Sequence, residues 1–408
     1  MKKLNCVVIG GGAAGFFGAL SCASKNPAAQ VCLLEKNRQI LAKVRISGGG
    51  RCNVTHACFD PKELVRHYPR GLKALLGPFY HFQPKDTIEW FEKRGVVLKT
   101  EEDGRMFPIT DSSQTIIDCL VEESRKLKID LRVETGIEGI EKSGEGFALQ
   151  LSDRSAILAD RLLIATGSHP TAHQWALNLG HTIVPPVPSL FTFNIPNFPL
   201  QELAGVSVNH AEARIVETSL VQSGPLLITH WGFSGPAILK LSAWGARELY
   251  QKGYQGSLGI NWLPHLPAAK LRQVLQQWKV DSPRKQISTD NPCGMPRQLW
   301  KALVLKAGIP LEKKWANLDN LSLTKLLQVL SEDCYPIHGK STYKQEFVTC
   351  GGVNLDEINF KTMESRLCKN LFFAGEVLDI DGVTGGFNFQ SAWTTSWLAG
   401  QAMAEEGQ

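Results

Sequence analysis

The ten cysteines of the sequence form no Cys-x-x-Cys pair, which removes a thioredoxin-type dithiol and the ligand knuckles of a zinc ribbon. Unpatterned thiols in an enzyme-sized chain instead fit a reducing compartment. No apolar run is long enough to span a bilayer, so no membrane association is expected, and nothing suggests a metal site. Lys2 and Lys3 do precede an apolar stretch reaching Cys22, as a secretion signal would. Gly10-Gly11-Gly12 interrupts that stretch, which favours a soluble, cytoplasmic protein. Internal repeats and low-complexity segments are missing as well. With 43% hydrophobic residues the composition is that of a globular protein, and a net charge of +5 is too mild to name a partner.

What is present begins at the N-terminus. Residues 4–9 form a short apolar run, read as a buried parallel strand. A glycine turn follows, then an alanine-rich helix ending near Pro27 and a second strand at 31–34, giving a β-α-β unit. In the turn, Gly10-x-Gly12-x-x-Gly15 has the dinucleotide spacing. Gly10 permits the tight turn, Gly12 lets the backbone approach a pyrophosphate, and Gly15 allows close helix packing. The phosphates then meet the positive end of a helix. Glu35 lies 20 residues after Gly15, where an acid accepts hydrogen bonds from a ribose diol and repels a 2′-phosphate. FAD or NAD is therefore favoured over NADP at this turn.

Later segments favour FAD. A strand at 162–165 ends in Thr166-Gly167, and one at 371–374 runs into Gly375-Glu376. Asp381-Gly382-x-x-Gly385-Gly386-Phe387-Asn388 then opens a terminal helix. Backbone N–H groups at that helix start are suited to a flavin pyrimidine edge, where reduction places negative charge. A chain that returns at its C-terminus to finish the site suggests a long, permanently held cofactor.

Between these ends, 46–53 reads as a glycine loop and 86–94 as a helical stretch. Residues 181–199 carry five prolines and read as a linker. Alternating segments up to about Gly259 suggest β-structure, and 267–330 a helical pattern. The expected fold is α/β, with an FAD-binding domain from 1–190 and 345–408 and an insertion at 191–344.

The block Ile46-Ser47-Gly48-Gly49-Gly50-Arg51-Cys52-Asn53-Val54-Thr55 resembles the hallmark of the BaiN/RdsA-type NAD(P)/FAD-dependent oxidoreductases. Gly104-Arg105-Met106-Phe107-Pro108, Thr229-His230-Trp231-Gly232-Phe233-Ser234-Gly235-Pro236 and Gly385-Gly386-Phe387-Asn388-Phe389-Gln390 are similar to its other blocks, in the same order. Phe387 departs from the tyrosine expected there. The resemblance implies a glutathione-reductase-like Rossmann domain for FAD, with an inserted β-rich domain (191–262) and helical cap (263–330). It also implies reduction of a carbon–carbon double bond next to a carbonyl. One branch is linked to bile-acid enones and another to uridine in 23S ribosomal RNA, giving dihydrouridine. Reduced nicotinamide, NADH or NADPH, is the expected electron donor, although no second Gly-x-Gly-x-x-Gly marks a site for it.

In that setting Cys52 is a candidate proton donor, activated by Arg51, or a small packing residue. Arg51 is expected to contact phosphate or flavin. Asn53 is a candidate donor to the flavin edge, alongside Gly48, Gly49 and Gly50. The expected cofactor-binding set also includes Ala14, Lys36 and Ile137. His230 is a second candidate acid, or a structural histidine. Ser234-Gly235-Pro236 reads as a helix cap with proline in the first turn.

Residues 265–330 hold eleven Lys and Arg against four acids, a segment charge of +7 (11 − 4). Trp278, Trp300 and Trp315 are interleaved. Such a segment is suited to a phosphate backbone and an unpaired base, or is a solvated face over a tryptophan core. Uridine in ribosomal RNA is therefore the leading substrate. A small-molecule enone or amine is the enzymatic alternative, and a non-catalytic FAD-containing binding protein the other.

Overall fold

The structure, a computed structural model, describes residues 3–340 and 348–405. The chain divides into two compact units, 1–187 with 348–408, and 188–347. The expected return to the first domain at 345 lies outside the described residues.

The first unit is built on a seven-stranded sheet in which 371–373, 161–164, 5–9, 30–34 and 130–132 follow one another and run parallel. Strand β1 (Asn5–Ile9) is central, and four of its five residues are buried, as expected for a parallel strand covered on both faces. Helix α1 (Ala13–Lys25) follows the glycine turn, and strand β2 (Gln30–Leu34) completes the crossover. The terminal helix Phe387–Met403 lies against α1, and glycine sets the approach. A β-carbon on Gly400 would fall 2.4 Å from the Gly18 carbonyl oxygen, and one on Gly18 would fall 2.6 Å from Leu163 Cδ2. The chain ends are thus packed together over the sheet, bringing both glycine-rich turns to one edge.

Two expectations change here. Residues 42–50 are largely helical, with a kink where Ser47, Gly48 and Gly49 leave helical dihedrals, so the glycine loop grows from a helix end. The proline-rich segment contains a strand, Ile183–Ser189, paired with Val348–Val353. Proline is tolerated in such a two-stranded ribbon because its outer edge needs no N–H.

The second unit holds a six-stranded sheet, in the order 193–194, 232–234, 221–228, 207–215, 255–261 and 333–338. The β-region expected up to about Gly259 is interrupted by helices Pro236–Trp244 and Ala246–Gln251. Gly235, not Ser234, occupies the N-cap, at φ +92° with no side-chain cap bond. Helices Ala268–Asp281, Arg297–Lys306 and Asn320–Ser331 follow. Their apolar faces join the sheet in one core that includes Trp262, Trp300 and Trp315.

Trp300 and Trp315 are therefore not available to stack on a base. Trp300 is enclosed and donates Nε1–H to the Ile287 carbonyl at 2.7 Å, while Trp278 is partly buried and donates to Asp290 at 2.6 Å. Trp300 and Trp315 pack there with Leu271, Leu299, Leu303 and Leu326, so the large rings are part of the helices' own core. No described helix is long and apolar enough to cross a membrane.

Candidate functional site in the first unit

The turn after β1 is shaped by contacts only glycine allows. A β-carbon on Gly10 (φ +111°) would lie 2.5 Å from the Ala165 carbonyl oxygen, and one on Gly15 only 1.7 Å from the Gly10 carbonyl oxygen. On Gly12 the same atom would meet nothing within 4 Å. The turn is thus closed against the sheet and open above the start of α1, where helix N–H groups and dipole favour phosphate. Glu35 follows β2, and its carboxylate accepts Gly11 N–H and Asn37 N–H, each at 2.8 Å. A carboxylate has about four acceptor sites, so these two bonds orient it while leaving capacity for a ribose diol.

The neighbouring candidates fall around this turn. Lys36 reaches the His169 ring at 2.5 Å, and burial together with that ammonium holds His169 below its ordinary pKa. Ile137 opens the strand Ile137–Ser143, opposite Leu151. Thr166 bonds the Gly167 carbonyl at 3.3 Å, and Gly167 has φ +65°. Gly375 N–H is held by Thr395 Oγ1 at 3.0 Å. Glu376 accepts Thr349 N–H at 3.1 Å and pairs with Lys43.

A second glycine-lined feature is built from three sequence blocks. Gly48, Gly49 and Gly50 all have positive φ, as does Cys52 at +62°. A β-carbon on Gly48 would strike the Phe107 ring at 2.7 Å, whereas on Gly49 or Gly50 it would meet open space. The 104–108 block lies alongside: Val54 N–H bonds the Met106 carbonyl at 2.9 Å, and Met106 N–H bonds Asn53 Oδ1 at 3.3 Å. The amide group of Asn53 is thereby fixed with its NH₂ as the donating end. The terminal turn closes the feature, because Gly386 (φ +93°) sits where a β-carbon would be 2.5 Å from the Thr55 carbonyl oxygen. Asn388 holds that turn in both directions, accepting Gly382 N–H at 2.8 Å and donating to the Gly382 carbonyl at 2.9 Å. Asp381 is fully buried and makes a two-pronged ion pair with Arg70.

The expected activation of Cys52 is corrected. Its side chain is enclosed, and burial pushes the thiol up to about 12, partly offset by a hydrogen bond to Ser47. Arg51 turns away from it, donating to Glu101 at 2.6 Å and lying 3.9 Å over the Phe107 ring. His230 belongs to the second unit, on an exposed turn beside Trp231, which is 66% exposed.

Several residues at this feature escaped the sequence reading. His56 and His67 both stack on Phe387. Tyr68 donates to the Phe387 carbonyl at 2.6 Å, and Trp393 to the Val54 carbonyl at 2.9 Å. Gln390 accepts from Thr55 at 2.6 Å and Thr87 at 2.9 Å. His56 follows the SGGGRCNVT block directly, which is the one local signal for it.

Two glycine-surfaced openings on one parallel-sheet edge, with a ribose-type acid beside the first, fit FAD. Gly10–Gly15 would hold the pyrophosphate, Glu35 the ribose, and 48–53 with 386–388 the flavin end. Fold and site together define the class, an FAD-dependent oxidoreductase on a Rossmann core. Residues 4–402 match the HI0933-like protein Rossmann domain, and the chain belongs to that family. It is similar to the 3-dehydro-bile acid delta(4,6)-reductase of Clostridium scindens, 28% identical over 408 residues. It is also similar to the ribosomal RNA dihydrouridine synthase of Escherichia coli, 29% identical over 412 residues, and both matches cover 98% of each chain. Among solved structures, the 3-ketosteroid-delta4-(5alpha)-dehydrogenase of Rhodococcus jostii shares the fold, with TM-score 0.51 and 12% identity over 100% of this chain and 98% of that one.

Proposed function

We propose that this protein reduces a carbon–carbon double bond conjugated to a carbonyl, that its substrate is uridine in 23S ribosomal RNA, and that NADH or NADPH supplies the electrons. The convergence of the SGGGRCN turn with the Gly385-Gly386 turn carries the reading, since it frames an open, glycine-surfaced place for a flavin ring. FAD would supply the hydride. The protein's own residues orient it: Asn53 offers a donor, Asn388 keeps the 382–386 turn in shape, and the helix start favours negative charge on a reduced ring.

The choice of RNA rests on the second unit. Lys270, Arg284, Arg297, Lys301, Lys314 and Lys325 are exposed and make no ion pair with a described residue. Six such cations suit a phosphate backbone without help from the tryptophans. The similarity to a ribosomal RNA dihydrouridine synthase points the same way. The nearly equal similarity to a bile-acid reductase supports a second reading, a small enone as substrate.

The test is the dihydrouridine content of 23S ribosomal RNA from a deletion strain, with and without a plasmid copy. Loss of one modified uridine, restored by the plasmid, is the expected result. Unchanged dihydrouridine removes the RNA reading and leaves the small enone.

A further inference from the structure

In the second unit, strand 207–215 sends Ala211, Ala213 and Ile215 into the hydrophobic core, and the neighbouring strand 255–261 sends Leu258 and Ile260. Alternation therefore puts Glu212, Arg214, Gly259 and Asn261 together on the other face. Glu212 is the register partner of Asn261, and Arg214 of Gly259. Directly opposed residues hold their β-carbons about 5 Å apart, so the Glu212 carboxylate and the Asn261 amide start side by side.

These residues line a cavity of about 250 Å³ within the second unit. Pro264 and Leu266 give it apolar wall, and Glu332 adds a second carboxylate. Its volume falls just below the ~300–1,000 Å³ of sites for drug-sized ligands, which suits a single heterocycle.

The polar groups of the cavity are only partly committed. Asn261 Oδ1 accepts Leu263 N–H at 3.0 Å, so its NH₂ is the outward donor, with no partner among the described residues. Arg214 has its counter-charge in Glu332 at 3.8 Å. Its stem lies across Gly259, where a β-carbon would fall 3.1 Å from Cγ and 2.9 Å from Nε. Glu212 makes no ion pair with a described residue, which leaves its carboxylate for a ligand. The cavity thus offers one donor beside a carboxylate able to accept two hydrogen bonds.

The pairing edge of guanine is the complement of that set, because its O6 acceptor is followed by two adjacent donors, N1–H and the N2 amino group. Uracil has one donor between two acceptors, and cytosine and adenine each have a single donor group. A primary amine would satisfy Glu212 and leave the Asn261 donor unmet. We propose that this cavity is a guanine-recognition site, in which Glu212 accepts from N1 and N2 and Asn261 donates to O6. Unpaired bases are read in this way, along their pairing edge. The assignment goes beyond the reduction chemistry and does not depend on it. The guanine can arrive as a free nucleotide or as an unpaired residue of an RNA strand.

The FAD-loaded full-length protein is titrated by calorimetry with GMP, AMP, UMP and CMP, and by fluorescence anisotropy with the labelled pentaribonucleotides UUGUU, UUAUU and UUUUU. Guanine should be preferred by about 10-fold or more in at least one series, the scale of a matched set of base contacts. A preference among the mononucleotides assigns the site to free guanine nucleotides, and one confined to the pentanucleotides assigns it to unpaired guanine in RNA. In the responding series inosine, which lacks the N2 amino group, should bind several-fold more weakly than guanosine. Glu212→Gln should abolish the preference, and so should Asn261→Asp, which keeps an acceptor for Leu263 N–H and removes the donor. Both variants should retain the wild-type flavin spectrum, urea midpoint and affinity for UUUUU. Equal binding of all bases, no binding in either series, or a preference that survives both substitutions overturns the assignment. None of these measurements uses dihydrouridine formation, so the reductase reading and this site fail separately.

Discussion

Gly375 and Ala14 touch where the two ends of the chain close on each other: a β-carbon on Gly375 would lie 2.9 Å from the Ala14 β-carbon. Gly375 also has φ +75°, which a β-branched residue rarely adopts. Gly375→Val should therefore destabilise the protein by about 2–4 kcal/mol through overpacking and backbone strain. Gly12 is the contrast, because its missing β-carbon faces open space. Gly12→Ala should leave the stability of the cofactor-free protein unchanged and weaken FAD binding at least about tenfold, by intruding where the backbone must approach the pyrophosphate. Urea unfolding without cofactor and flavin retention at 450 nm measure the two quantities. Loss of cofactor-free stability in Gly12→Ala would show that its side is a packing surface.

The dinucleotide turn was legible because its signal is local. Gly10, Gly12, Gly15 and Glu35 lie within 26 residues, and β1, α1 and β2 were expected to within two residues of their ends. The stack on Phe387 was not legible. His56 and Phe387 are 331 positions apart (387 − 56), and no spacing rule joins them. The three tryptophans of the basic segment show the opposite failure. Their interleaving with lysines gives no phase, and only the packed core shows Trp300 and Trp315 turned inward while the cations stay outside. Helix 42–50 was obscured by its own C-terminal glycines, which dominate the composition of the block.

Cys52 is enclosed with a raised pKa, which suits a packing group better than a proton donor. Cys52→Ala should cost about 1–2 kcal/mol, as small truncations in cores do, and keep the rate at which 2-cyclohexen-1-one reoxidises the reduced flavin within about threefold of wild type. Stopped-flow reoxidation of the photoreduced variant checks this. A fall of about 100-fold, the scale of a lost general acid, would return Cys52 to the chemistry.

His181 makes folding acid-sensitive. Its Nδ1 is 3.0 Å from Glu357 and its Nε2 2.9 Å from Ser365 Oγ, which itself accepts Leu367 N–H at 3.0 Å and Cys368 N–H at 2.8 Å. The Ser365 hydroxyl proton is then directed to Nε2, and Nδ1–H to Glu357, which suits the neutral ring. Burial holds His181 below its ordinary pKa despite Glu357, and burial also lowers His169 and His173. A depressed histidine contributes stability above the unfolded value of about 6.5 and loses it as pH falls, by up to about 1.4 kcal/mol per pH unit and group. Urea unfolding at pH 7.5, 6.5 and 5.5 should show this decline. His181→Asn should be less stable at pH 7.5 and decline less steeply, and an unchanged slope would reject the role of His181.

The exposed cations of the second unit separate the two substrate readings. If six of them meet phosphates, the logarithm of RNA affinity should fall with that of salt concentration at a slope of about −4 to −5, using roughly 0.7–0.9 per contact. The triple variant Arg297→Gln/Lys301→Gln/Lys314→Gln should reduce that slope by about 2–3 units and lower dihydrouridine formation in the complemented strain. None of the three side chains belongs to the hydrophobic core, so folding should be intact. The same variant should reduce 2-cyclohexen-1-one at the wild-type rate, since a small neutral enone needs no phosphate contact. If RNA affinity in wild type is flat with salt, these lysines and arginines form a solvated face, and the small-enone reading takes precedence.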